Sequence, residues 1–238
     1  FGSDADLVEM ESFVKGEKHS KNTVVLMKNA VDTDKFSYST DVREKVRKKM
    51  KISRDTLVIG HVGRFTHDKN QSFLIDIFKA VHDRDKNTVL LLVGGGEADD
   101  GLKNQIRHKV KDLGLEDSVK FLGVREDVEK VVQAFDVFLL PSLFEGLPVT
   151  MVEAQAAGLP CVISDKVPIQ CDITGNVKVV SLEDAPEKWA EVIEDVLTNF
   201  KKKDTYETIV NAGFDIKENA KWLKDFYVEA LKEAGENN

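Results

Sequence analysis

Cysteine is nearly absent from this 238-residue chain: Cys161 and Cys171 are the only two. Two thiols cannot staple the disulfide framework of a small secreted domain, and neither has partners at zinc-ligand spacing. Cys161 lies in an apolar, strand-like run and reads as a buried thiol, in keeping with a reducing cytosol. No apolar run approaches the roughly 18 residues of a membrane span, and no signal-peptide pattern is present. The chain begins at Phe1, not Met, so its natural start is expected further upstream. Positive charge is not in excess: 34 Lys and Arg face 42 Asp and Glu, a net charge of −8. That balance argues against sequence-independent nucleic-acid binding, which needs a basic field, but leaves room for a local basic pocket. Repeats and low-complexity segments are also missing. What remains is long enough for one large domain with a substantial core.

Strand-like runs recur at Leu57–Val62, Thr88–Val93, Val119–Leu122, Asp136–Leu140, Pro160–Ile163 and Val177–Val180. Several are apolar throughout, as in Leu90-Leu91-Leu92-Val93, and such runs suit strands buried on both faces of a parallel sheet. Between them lie helical stripes at three- and four-residue spacing. These are Phe73, Leu74, Ile77, Phe78, Val81; then Leu102, Ile106, Val110, Leu113; then Val128, Val131, Val132, Phe135; and Trp189, Val192, Ile193, Val196, Leu197, Phe200. Each stripe is one core-facing side of a helix. The alternation predicts an α/β fold: a Rossmann-like parallel sheet flanked by helices. A short strand is expected at Thr23–Met27. A long helix is expected from about Ile216 to Ala234, with an apolar arc, widened by Trp222 and Phe226, broader than a terminal helix needs.

In an open α/β sheet, ligands bind outside the carboxyl ends of the strands, so the residues that follow each strand are the candidates for chemistry. After the first comes Gly63-Arg64-Phe65-Thr66-His67-Asp68-Lys69-Asn70. Arginine offers a planar fork and lysine a point charge, a pair suited to a diphosphate, although a basic loop alone is ordinary solvated surface. His61, inside the strand pattern, reads as structural. After the second comes Gly94-Gly95-Gly96-Glu97, where glycine permits close backbone approach. The dinucleotide fingerprint would require glycine at position 99, which is Asp99, and it normally follows the first strand, so a nicotinamide-dependent dehydrogenase is disfavoured. After the third, Gly123-Val124-Arg125 could offer backbone to a nucleobase, or could simply turn the chain into a helix.

The stretch after the fourth strand is the most informative: Pro141-Ser142-Leu143-Phe144-Glu145-Gly146-Leu147-Pro148-Val149-Thr150-Met151-Val152-Glu153-Ala154. Pro148 suits the first position of a helix whose free N–H groups would face the cleft and bind phosphate. Glu145 precedes that helix and Glu153 lies in its second turn. Two nearby carboxylates also suit a hydrolase, but a pair on one loop and helix does not flank a cleft.

Glu145, seven intervening residues and Glu153, within EGLPVTMVEAQAAGLPCVISD, resemble the signature of glycosyltransferase family four, retaining enzymes with two facing Rossmann-like domains in the GT-B fold. KNAVDTDKF at 28–36, GHVGRFTHDKN at 60–70, LLVGGGE at 91–97 and FLGVREDV at 121–128 fall in the family's order. The resemblance covers roughly residues 23–235 and is strongest to bacterial enzymes of capsular and exopolysaccharide synthesis. It implies that Arg64 and Lys69, with Gly63, hold the donor's diphosphate and that Glu153 accepts hydrogen bonds from the ribose hydroxyls. It places Glu145 beside the donor sugar and puts Gly146, Leu147 and Pro148 at the turn that meets sugar and phosphate. Val124 and Arg125 would lie beside the base, with Gly94 and Gly96 at the glycine-rich turn.

Family members also carry an N-terminal domain that binds the acceptor. Residues 1–22 therefore read as a tail left from such a domain. Residues 23–238 read as the nucleotide-sugar-binding domain, including a C-terminal cross-over helix. By the same resemblance the partners are a uridine-linked nucleotide sugar and, through the missing domain, a carbohydrate or lipid-linked acceptor. No nucleic acid is expected, nor any cofactor or required metal, because Arg64 and Lys69 supply the positive charge. A cytoplasmic location is expected, with peripheral membrane association of the full-length enzyme at the inner face. The isolated chain is expected to bind donor and transfer nothing. Two alternatives stay open: a non-catalytic nucleotide-binding domain, and a nucleotide-sugar epimerase on the same fold, for which no acid–base set is apparent.

Overall fold

Strands form where the sequence is apolar on both faces. The computed structural model describes residues 27–95 and 101–236. Its strands are β1 (Leu57–Val62), β2 (Thr88–Val93), β3 (Val119–Gly123), β4 (Val137–Leu140), β5 (Cys161–Ser164) and β6 (Val177–Val180). All pair in parallel, in the order β3-β2-β1-β4-β5-β6. Residues alternate between the faces along each strand, so the sheet divides two cores. Val58, Leu91, Phe138 and Leu140 belong to one; Ile59, Leu90, Leu92 and Leu139 belong to the other. The outer strand β6 is largely exposed, and its Lys178 discourages edge-to-edge pairing.

The helices are α1 (Thr33–Phe36), α2 (Thr40–Lys49), α3 (Gln71–Arg84), α4 (Gly101–Asp112), α5 (Val128–Val131), α6 (Val149–Ala156), α7 (Pro186–Asn199), α8 (Tyr206–Asn211) and α9 (Ile216–Glu236). The predicted stripes face the core: α3 buries Leu74, Ile75, Ile77, Phe78 and Val81, and α7 buries Trp189, Ala190, Ile193 and Val196. The Val128–Phe135 stripe becomes α5 followed by a single 3₁₀ turn, Val132–Ala134. Asp136, expected to open β4, stands just before it and works as a polar anchor. Its carboxylate accepts from Val58 N at 2.8 Å, Arg43 at 2.5 Å and Arg47 at 2.6 Å, which ties α2 to the amino ends of β1 and β4. Of the strand expected at Thr23–Met27, Met27 is in no strand and the remainder lies outside the described residues, as does the tail at 1–22.

The chain enters and leaves the domain side by side. Val31 bridges to Asp215 in parallel; Val31 N donates to Phe214 O at 2.9 Å, and Ile216 N donates to Val31 O at 3.0 Å. From there α9 runs outward with Trp222, Phe226, Tyr227 and Leu231 exposed. None of the described helices is long and apolar enough to cross a membrane.

Candidate functional site

Strand order reverses direction between β1 and β4, and this is where an open parallel sheet leaves a crevice at its carboxyl edge. The loops on either side are Gly63–Asn70, after β1, and Pro141–Pro148, after β4. They are bound to each other directly: Leu143 N donates to Asp68 O at 2.7 Å, and Asn70 Nδ2 donates to Pro141 O at 3.1 Å. Asn70 adopts a left-handed conformation (φ 52°), one that asparagine tolerates better than most residues, and α3 starts immediately after it.

Lys69 and Glu145, predicted from separate loops, meet here. Lys69 Nζ donates to Glu145 Oε1 at 2.5 Å, and Ser142 Oγ donates to the same oxygen at 2.7 Å. The pair is largely enclosed. Arg64, by contrast, is exposed, and no described residue pairs with its guanidinium. The two basic residues thus differ: Arg64 is open to an anion, whereas Lys69 already has a carboxylate that an arriving anion must share. Beneath them, His61 is buried in β1. Its Nδ1–H donates to Leu139 O at 3.0 Å, and burial pulls its pKa down to about 4, so the ring is neutral and structural.

Pro148 is not the first helical residue. Its backbone is extended (φ −74°, ψ 108°), so it caps α6 and Val149 begins the helix, with no side chain capping that end. The amino end of α6 therefore opens onto the crevice with unfilled N–H groups, and Thr150 in the first turn has a buried hydroxyl with no partner among the described residues. One turn on, Glu153 is partly buried and has no hydrogen-bonding or ionic partner among the described residues. Burial alone pushes its carboxyl up to about 7. An acid partly withdrawn from water without a partner is costly, and such groups concentrate where ligands bind.

The other predicted residues take different parts. Gly94 (φ 141°) is held by backbone crowding: a Cβ there would stand 1.9 Å from Gly63 O, so the ends of β1 and β2 touch through two glycines. Gly95 continues this seam, its carbonyl accepting from Phe65 N at 2.9 Å. Gly96 lies outside the described residues. Val124 is exposed beside Gly95, while Arg125 is clamped by Asp127 through two hydrogen bonds of 2.7 Å, leaving its backbone rather than its charge as what it offers. Gly146 and Leu147 complete the turn into α6. Ser142 and Asp68 were not singled out from sequence. A loop serine looks like any other until the fold shows which one holds Glu145, and Asp68 holds the neighbouring loop through a backbone carbonyl that any residue would offer.

The model of the glycosyl transferases group 1 family matches residues 42–213. EpsF of Bacillus subtilis (strain 168), a glycosyltransferase by assignment, is 34% identical over 219 residues, spanning 90% of this chain and 56% of its own length. An Escherichia coli enzyme named UDP-Gal:alpha-D-GlcNAc-diphosphoundecaprenol alpha-1,3-galactosyltransferase is 28% identical, over 87% of this chain and 54% of the enzyme. This chain thus spans about half the length of the curated relatives it matches. Among solved structures, Anabaena Alr3699/HepE in complex with UDP and glucose superposes with a TM-score of 0.71 at 21% identity, over 92% of this chain and 60% of that one. The C-terminal domain of a Francisella tularensis group 1 glycosyl transferase, LpcC, superposes with a TM-score of 0.66 at 20% identity, over 79% of this chain and all of that one. The sheet order is that of a Rossmann-like fold shared with these GT-B enzymes, and the family match covers most of the chain: it belongs to the group 1 glycosyl transferases.

Proposed function

We propose that the crevice between β1 and β4 holds a nucleoside-diphosphate sugar, uridine-linked. The protein that carries this domain then transfers the sugar, with retention, to a carbohydrate or lipid-linked acceptor in the synthesis of surface polysaccharide. The observation that carries the reading is Glu153: a partly buried carboxyl without a partner among the described residues, one turn into the helix whose uncapped end opens on the crevice. A ribose diol supplies the two donors such a group lacks. The diphosphate then falls at the amino end of α6, within the field of Arg64 and Lys69, and the sugar beside Glu145. When the sugar–phosphate bond breaks, negative charge collects on the departing diphosphate. Fixed positive groups already aimed at that position lower the barrier without reorganising. In this reading those groups stand in for a metal ion. The names of the Escherichia coli relative, with its UDP-galactose donor, and of the Anabaena complex with UDP and glucose support a uridine nucleotide. A cytoplasmic site of action, at the inner face of the membrane, suits a nucleotide-sugar donor.

Calorimetric titration of the 238-residue chain with UDP, UDP-glucose and UDP-galactose, with magnesium and with chelator, tests this. UDP is expected to bind in both conditions. Failure of every uridine nucleotide to bind sinks the donor-site reading, and binding that chelator abolishes sinks its metal-free form.

A further inference from the structure

The side chain of Gln155 is fully buried, two residues beyond Glu153 on α6. Residues two apart on a helix point to nearly opposite sides, so Gln155 faces away from the crevice, towards the segment that follows β5. There its amide uses every hydrogen-bonding position it has. Nε2 donates to Cys171 O at 2.7 Å and to Met151 O at 3.1 Å. Oε1 accepts from Ile173 N at 2.9 Å and from both Thr174 N and Thr174 Oγ1 at 3.1 Å. The Ile169–Thr174 segment holds one 3₁₀ turn and little other regular structure, and this one side chain meets its Cys171 carbonyl and its Ile173 and Thr174 amides.

That segment is adjacent to the crevice. It follows β5, the neighbour of β4. Ser164, the last residue of β5, donates from Oγ to Ser142 O at 2.5 Å in the loop that carries Glu145, and Cys171 of the segment belongs to the core cluster against which Leu147 of the Glu145 turn packs. Cys171 is fully buried. Burial raises its thiol to about 12, with smaller upward pushes from the carboxylates of Asp172 and Glu145. Ile169 and Gln170, in the same turn, are exposed.

We propose that Gln155 is a positioning residue for the donor's sugar: it holds the Ile169–Thr174 segment against the Glu145 turn, and that segment forms the side wall of the sugar pocket. The proposal rests on the donor-site reading above but makes a separate claim. One helix carries the ribose contact on one side and the tether of the sugar wall on the other. Loosening the tether weakens recognition of the sugar while leaving recognition of the nucleotide.

Gln155→Met keeps the side chain's length and removes all five hydrogen bonds; Thr174→Val is a milder variant that removes one. Two measurements on the full chain are combined: calorimetry with UDP and with whichever of UDP-glucose and UDP-galactose the unaltered chain binds more tightly, and the rate of thiol alkylation at each cysteine by mass spectrometry. Cys161, buried in β5, reports global opening, while Cys171 reports the segment. In Gln155→Met, Cys171 alkylation is expected to rise about ten-fold or more while that of Cys161 stays put, as in local opening. UDP affinity should stay within about two-fold while the additional affinity from the sugar is lost, because the two rest on separate contacts. Thr174→Val should move both readouts the same way by less, and it decides the matter if Gln155→Met does not fold. Unchanged Cys171 reactivity, or a sugar contribution that survives, overturns the role of Gln155 and leaves the donor site standing. Equal losses for UDP and UDP-sugar also overturn it, as a general structural effect. Failure of the unaltered chain to bind any uridine nucleotide sinks the donor-site reading, and this role with it.

Discussion

Glu153→Gln sets stability and binding against each other. In the folded protein, burial moves the Glu153 carboxyl from its reference value of 4.5 to about 7. At about 1.4 kcal/mol per pH unit, that is roughly 3 kcal/mol of preference for the neutral form. Linkage gives the sign. Below pH 4.5 the group is neutral in folded and unfolded chains alike and costs nothing. As pH rises the unfolded chain ionises while the folded one resists, so stability falls, and by the folded value near 7 the whole cost is present. Glutamine keeps the shape and abolishes the titration. The variant should match the parent at the acid end of this range and exceed it by up to ~3 kcal/mol at pH 8. For a domain of this size that is on the order of 5–10 °C in Tm, read by thermal unfolding across the pH series. The same change removes a charged acceptor for the ribose. Hydrogen bonds to charged groups are worth about 1.5–3 kcal/mol, so UDP affinity at pH 8 should fall about ten- to a hundred-fold by calorimetry. A variant no more stable than its parent at pH 8 would show that water already serves the carboxyl. Undiminished UDP affinity would refute the ribose contact.

Other variants separate the remaining groups. Glu145→Ala frees Lys69 from its 2.5 Å partner, so bare UDP should bind no more weakly while the sugar's extra affinity disappears; weaker UDP binding would assign Glu145 to the nucleotide. Arg64 is exposed and unpaired among the described residues, so Arg64→Ala should lower UDP affinity about ten- to a hundred-fold and leave Tm within about 2 °C. Unchanged affinity would place the diphosphate elsewhere. Among its described side chains α9 buries little beyond its first turn, where Asn219 bonds to Lys28 O and Lys217 pairs with Asp34. Its later amides should exchange hydrogen far faster than those of β1, β2 and β4; a monomeric chain with α9 as protected as the sheet would refute this.

What the sequence by itself determined here is local. A run such as Leu90-Leu91-Leu92-Val93 is apolar at every position because both faces of β2 are covered, so burial is written directly into composition, and the limits of β1, β2 and β6 could be read to the residue. The stripes of α3 and α7 reflect one buried side at helical period in the same way. The Glu145–Glu153 pattern was legible because loop and helix are contiguous in the chain. Tertiary structure decided who stands beside whom. Strand order brought Lys69 to Glu145 across 76 positions, and no periodicity encodes that distance. It also explained Gly94 by a neighbouring carbonyl, where sequence alone suggested room for a ligand, and turned the charge of Arg125 onto Asp127. Only the folded chain could show that Gln155 spends its amide on a loop, or that Glu153 has no partner among the described residues. Both depend on three-dimensional desolvation, which the same residue types on an exposed helix would not feel.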